Sequence, residues 1–200
     1  EIRITGEQGD SVTFSELASM MNGVPGFKLP DGIEAGLEAT HYFQPSQAAY
    51  ANGSHVAEVE VDIETGAVKI LRYVVAHDCG NLINPLIVDG QVQGGVAHGI
   101  GNALLEHLYY DENANPLTTT FSEYLLPTAE LVPNVEILHL ESPTPNNPLG
   151  VKGAGEGGTL PAAAVSAAAI DNALSPFGVR FKDVPIRPHQ IVAAVNEATN

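Results

Sequence analysis

Four glycines fall inside a stretch that otherwise has the spacing of an α-helix. Val92, Val96, Ile100, Ala103, Leu104 and Leu108 recur three and four residues apart, which draws one buried stripe along a helix. Gly94, Gly95, Gly99 and Gly101 lie within it. Each glycine costs a helix up to about 1 kcal/mol relative to alanine. A helix that carries so many is stable only if another segment lies against its bare backbone, so the stretch predicts a close crossing with a second element.

The residues before it predict strands. From His55 to Ile63, Ala57, Val59, Val61 and Ile63 share one face, and Glu58, Glu60 and Asp62 the other, as in a half-buried strand. After a turn at Glu64-Thr65-Gly66, the segment Ala67–Ala76 is apolar on both faces, so a hairpin forms from an outer and a more central strand. Val135–Glu141 reads as a further strand. Near the start, Thr13 as N-cap and Glu16 three residues on form a capping box, with Val12 stapled against Leu17 and a helix end at Asn22-Gly23. The chain to about Tyr50 is rich in Pro, Gly and polar residues and reads as a long connection with one short strand near Ala39–Phe43. Leu117–Leu126 reads as a short ordered segment, whereas the prolines and asparagines of Ser142–Pro148 exclude regular structure. A helix is expected over Leu160–Leu174, with Thr159 as N-cap and Pro161 in its first turn, and a last one over Pro188–Glu197. Regular βαβ alternation is missing, so the fold class is α+β: a hairpin-containing sheet with Gly-rich and Ala-rich packed helices. Two parts are expected, an N-terminal helix and connection over residues 1–50 and the main domain over 51–200.

Charge narrows the function classes. Asp and Glu number 24 against 8 Lys and Arg, a formal net charge of −16. Such a surface repels phosphate backbones and anionic membranes, which argues against nucleic-acid and membrane partners. The opening EIRITGEQGD has neither a basic segment nor an apolar run, so the expectation is a soluble, cytoplasmic protein. The chain opens on Glu1 rather than Met and reads as a piece of something longer. Cys79 is the single cysteine, so no internal disulfide forms. Seven histidines show no H-x-x-x-H or H-E-x-x-H spacing, which argues against zinc. At the end of the second strand His77 and Cys79 alternate onto one face and Asp78 onto the other, with Cys79 read as a small buried residue.

Two motifs carry possible chemistry. In NPLGVKGAGEGGTLPAAA, Glu156 stands among Gly153, Gly155, Gly157 and Gly158, where a bulky partner can approach the backbone and a carboxylate is held with little freedom to swing. The same residues also describe a surface loop with a solvated acid near a helix N-terminus. Gly153-x-Gly155-x-x-Gly158 formally matches a dinucleotide fingerprint, but the strand that should precede it is replaced by Ser142–Pro148. The second motif is Gly90-Gln91-Val92-Gln93-Gly94-Gly95. An amide with two donors and an acceptor, at a helix start and flanked by glycines, suits a flat, polar, anionic ligand. A tight helix crossing with solvent-facing glutamines fits the same pattern.

Taken together, HVAEVEVDIETGAVKILRYVVAHDCGNLINPLIVDGQVQGGVAHGIGNALLE and SPTPNNPLGVKGAGEGGTLPAAAVSAAAIDNAL resemble the C-terminal part of the molybdenum-binding large subunit of the xanthine oxidase family, most of all its carbon monoxide dehydrogenase-like members. VTFSELA and PIRPHQI extend the similarity over nearly the whole chain. The resemblance implies a molybdenum-dependent hydroxylase or dehydrogenase that oxidises a small substrate with water-derived oxygen, incomplete as this chain alone. Its KGxGE motif falls on Lys152, Gly153, Ala154, Gly155 and Glu156, which implies Glu156 as general base. Its GQxxGG motif implies Gln91, Gly94 and Gly95 as cofactor contacts, joined by Lys152, Gly153, Ala154 and Gly155. Lys152 either orients the loop or stands solvated. A base working near neutral pH needs a raised pKa, which apolar surroundings would provide. The implied cofactor is molybdenum–molybdopterin, in its cytosine dinucleotide form, shared with the rest of the large subunit. No FAD or 2Fe-2S centre is expected on this chain, since flavin and iron–sulfur partner subunits carry them. A non-catalytic structural or interaction module that keeps the fold is the alternative.

Overall fold

The structure is a computed structural model that describes Ile2, residues 11–22 and residues 29–200. It divides into two compact units, Glu1–Gln44 and Pro45–Asn200.

In the first unit, helix α1 spans Phe14–Met21. The expected capping box is present: the Thr13 hydroxyl accepts from the Glu16 N–H at 3.2 Å, and the Glu16 carboxylate accepts from the Thr13 N–H at 2.8 Å. Asn22 caps the C-terminus, and Gly23 lies outside the described residues. No strand forms at Ala39–Phe43, a correction: Tyr42 and Phe43 are exposed, and no strand among the described residues pairs with them to take up their backbone hydrogen bonds.

The second unit holds a sheet of three strands in the order β1 (Asn52–Val61), β2 (Val68–Asp78), β3 (Val135–His139). β1 and β2 are antiparallel and form the expected hairpin, and β3 runs parallel to β2. β2 is therefore the central strand, as its apolar run requires. A second cause of that run is a bulge: Glu58 pairs Arg72 but Val59 pairs Ile70, which leaves Leu71 unopposed. Val68 and Ile70 point inward on one side of the bulge, and Tyr73, Val75 and His77 on the other. Ile63 does not continue β1 and is exposed. The Asp62 carboxylate accepts from the Glu64 and Thr65 N–H groups and begins the turn before it.

Helix α2 (Pro85–Leu104) lies across the inner face, with Val92, Val96, Ile100 and Ala103 wholly buried. It stops before Leu108, which is exposed, because the Gly101 carbonyl accepts from both Leu105 and Glu106 and closes the last turn. Residues 117–126 contain turns only. Helix α3 (Ala162–Ala173) crosses α2 where the glycines predicted it. A Cβ on Gly99 would run into the Ala162 side chain, and one on Gly95 would lie 2.7 Å from the Thr159 nitrogen. Gly94, by contrast, faces open space. Thr159 is not the N-cap of α3: its own N–H donates to the Glu156 carbonyl, which places it inside the preceding turn, and Pro161 takes the cap position. Helix α4 (Pro188–Thr199) closes a second core of Ile170, Leu174, Val179, Ile186, Ile191 and Val195. No helix among the described residues is long and apolar enough to cross a membrane.

Candidate functional site

The site forms where β2 ends and the chain after Ser142–Pro148 returns to it. Gly80 takes a left-handed φ of 71° and bridges Val151, with Lys152 N–H donating to the Cys79 carbonyl at 2.7 Å. Asn147 clamps the return by accepting from the Val151 N–H at 3.1 Å and donating to the Val151 carbonyl at 2.9 Å. The glycine loop is thus fixed at its base before Glu156 is reached.

Lys152 is not a solvated lysine. Its ammonium lies 3.3 Å from the Asp78 carboxylate, with side chains only 10% and 9% exposed. Burial alone would raise the Asp78 pKa, but the Gly80 N–H, Ser142 and the Lys152 ammonium more than offset it and hold the carboxyl well below the usual range. Neither residue has a local cue to the other, since 74 residues separate them.

Beyond Lys152 the backbone is wedged between two elements. Gly157 lies against the His77 imidazole, with no room for a Cβ beside its Nδ1 at 2.8 Å. Gly158 lies against the α2 backbone, where a Cβ would stand 2.9 Å from the Val92 Cα. Gly158→Ala is expected to lower the stability of the unit by about 1–3 kcal/mol in denaturant unfolding, because neither backbone can yield. The Glu156 carbonyl accepts from Thr159 at 3.0 Å and so starts the turn into α3.

Glu156 opens onto a pocket of about 540 Å³, lined among others by Tyr50, Asn52, Gly53, His77 and Gly153. Glu156 itself is exposed, a correction to the expectation of apolar cover: glycines flank it and none of them screens the carboxylate. Gly153 and Gly155 leave their space open toward the pocket side, whereas Ala154 turns back to the core formed by β2 and α2. Gln91 is in the second turn of α2 rather than at its start, which Asn84 caps by accepting from Ile87 at 3.3 Å. A helix-end anion site at Gln91 is thereby ruled out. Its side chain nevertheless reaches the loop, with Nε2 3.9 Å from the Cβ position of Gly155. Gln91, Gly155 and Glu156 are brought together, while Gly95 serves the helix crossing. Cys79 is a buried free thiol. Among the described residues no group of three His, Cys, Asp or Glu could hold a metal ion.

Sequence reasoning missed Tyr50 and Asn52 as pocket residues, because they sit at the end of the least patterned stretch and carry no motif. It also missed the fate of His77, which is fully buried and borders the pocket. The one signal was its phase with Tyr73 and Val75 on the inward face of β2.

Comparison with known proteins matches this arrangement to one family. A family model described as molybdopterin cofactor-binding domain matches residues 1–133, a span that includes Gln91 and ends before Glu156. The nicotine 6-hydroxylase large subunit of Paenarthrobacter nicotinovorans is 44% identical over 167 residues, 84% of this chain and 20% of that protein. The carbon monoxide dehydrogenase large chain of Hydrogenophaga pseudoflava is 32% identical over 195 residues, 98% of this chain and 24% of that one. Quinoline 2-oxidoreductase from Pseudomonas putida 86 superposes with a TM-score of 0.79 and 43% identity, covering 84% of this chain and 22% of the other. The chain spans about a fifth of the length of the curated relatives it matches. With the matched α+β fold, the converging glycine loop and the family model in agreement, the chain belongs to the molybdopterin cofactor-binding domain family of xanthine oxidase-type molybdenum enzymes.

Proposed function

We propose that this chain is the part of a molybdenum hydroxylase large subunit that supplies the general base Glu156 and holds the cofactor through Gln91 and the Lys152–Gly155 backbone. The observation that carries the reading is the approach of the Gln91 amide to Gly155, next to Glu156 and beside a pocket of about 540 Å³. The residues present fit a molybdopterin. Gln91 offers donors and an acceptor on an exposed amide, and Gly153 and Gly155 leave room for a large polar group to lie against the backbone. When bound, the cofactor supplies the redox chemistry that removes two electrons from the substrate.

Glu156 accepts a proton from the water-derived hydroxyl group as its oxygen is transferred to the substrate. The backbone just after it is wedged between the sheet and α2, Gly157 against the His77 ring and Gly158 against Val92, so the carboxylate approaches the reacting group from a fixed direction. The buried Asp78–Lys152 pair anchors the loop on the side toward β2. Cover for the exposed carboxylate comes from the rest of the large subunit, and iron–sulfur and flavin partner subunits carry the electrons away. The cofactor is proposed in its cytosine dinucleotide form.

The test is molybdenum analysis of the assembled enzyme. The purified complex is expected to hold stoichiometric molybdenum, and Gln91→Ala to lower its retention on dilution about tenfold, the loss of one or two hydrogen bonds. A complex that copurifies no metal would identify the chain as a structural module instead.

A further inference from the structure

The two edges of the sheet are unlike. β1 forms one of them and is blunted: Glu58 and Glu60 stand on its outer face, and its ladder is broken by the bulge between Glu58 and Val59. β3 forms the other, and the run Val135-Glu136-Ile137-Leu138-His139-Leu140 has no lysine, proline or bulge. The Leu140 N–H donates to the His77 carbonyl at 2.8 Å, so Glu136, Leu138 and Leu140 turn their backbone groups toward β2. By alternation the N–H and C=O groups of Ile137 and His139 point the other way, where no strand among the described residues pairs with them.

The outer face beside that edge is apolar and bare. Val56 faces Val74 and Ala76 faces Leu138 in register, and Leu140 follows two residues on. Val56 is 62% exposed, and Leu138 and Leu140 are 58% exposed each. An open ladder edge and an apolar stripe that meet on one strand make a template for a further strand.

Charge and length decide what fits there. Glu58 and Glu136 flank the stripe, and Glu136 already holds Arg72 through hydrogen bonds of 2.6 and 2.7 Å. With a formal net charge of −16 on each, a second copy laid on this face would bring like charges together. This chain covers 20% of the nicotine 6-hydroxylase large subunit, which leaves about four fifths of a subunit of that size outside it.

We propose that the free edge of β3 and the stripe from Val56 to Leu140 seat the remainder of the large subunit, which adds a strand beside β3 and covers Leu138 and Leu140. The inference rests on the chain being one part of such a subunit and not on the role of Glu156.

The test uses the assembled enzyme carrying Leu138→p-benzoylphenylalanine, a photocrosslinking side chain. After irradiation the large subunit is sized and its peptides are identified by mass spectrometry. The expected product joins position 138 to a segment of the same large subunit outside these 200 residues, with the mass of the subunit unchanged. A crosslink to a second large subunit, to an iron–sulfur or flavin subunit, or back to these 200 residues would overturn the inference, and so would reaction with water alone. Hydrogen exchange of the wild-type enzyme needs no substitution and reports even if the variant fails to assemble. The Ile137 and His139 amides are expected to exchange at least about a hundredfold more slowly than in an unstructured peptide. Peptide-like rates at these two amides would overturn the added strand. Neither readout depends on turnover, so their failure leaves the general-base reading in place, and its failure leaves them in place.

Discussion

Glu156→Gln is expected to lower kcat of the assembled enzyme by roughly 10²–10⁴-fold, the usual contribution of a placed proton acceptor, while molybdenum content and thermal stability stay at wild-type values. The amide keeps the size of the side chain and removes its basicity. The carboxylate makes no hydrogen bond to the described residues, and only the Glu156 carbonyl is used structurally, so the fold has little to lose. Steady-state kinetics beside metal analysis checks both halves of the expectation. Retained turnover would place the base on another residue.

Asp78→Ala has the largest expected effect on stability, a loss of about 3 kcal/mol or more. It leaves the Lys152 ammonium, 10% exposed, without its counter-charge, and it removes the acceptor for the Gly80 and Ser142 N–H groups. Lys152→Met is milder, since Asp78 keeps both backbone donors. The folded-state pKa of Asp78 lies below its unfolded value, so its stabilisation is complete above the ordinary carboxylate range and is lost as pH falls below about 4. Urea titrations of wild type and Asp78→Ala at pH 7 and pH 3 check this. The gap between them is expected to narrow at the lower pH, and a constant gap would show that the ion pair does not act through charge.

Local pattern made much of the fold legible. The capping box at Thr13 and Glu16, the alternation of β1 and the three-and-four spacing of α2 each depend on residues within a turn or two of one another, and each forms. The glycines of α2 even announced the crossing with α3, because close backbone contact is the condition under which such a helix survives. The errors came where residues outside the local pattern decide. The bulge at Leu71 shifts the inward phase of β2 and contributed to a pattern that read as apolar on both faces. Thr159 has the chemistry of an N-cap, yet the Glu156 carbonyl draws it into an earlier turn. At the site, the two motifs could be named from the sequence, but their meeting at Gln91 and Gly155 depends on the tertiary fold. Asp78 and Tyr50 carried no motif that would have pointed to their surroundings.

The wedging of Gly157 and Gly158 between the His77 ring and the Val92 backbone has a mechanical outcome. Packed protein interiors are stiff and pass strain on rather than absorb it. Glu156 therefore rides on the seam between sheet and helix, and it cannot swing alone. A wedge driven in a turn or two along α2, such as valine in place of Gly99, would tilt the helix off the sheet and swing the carboxylate with it, leaving every pocket residue chemically intact but misaimed.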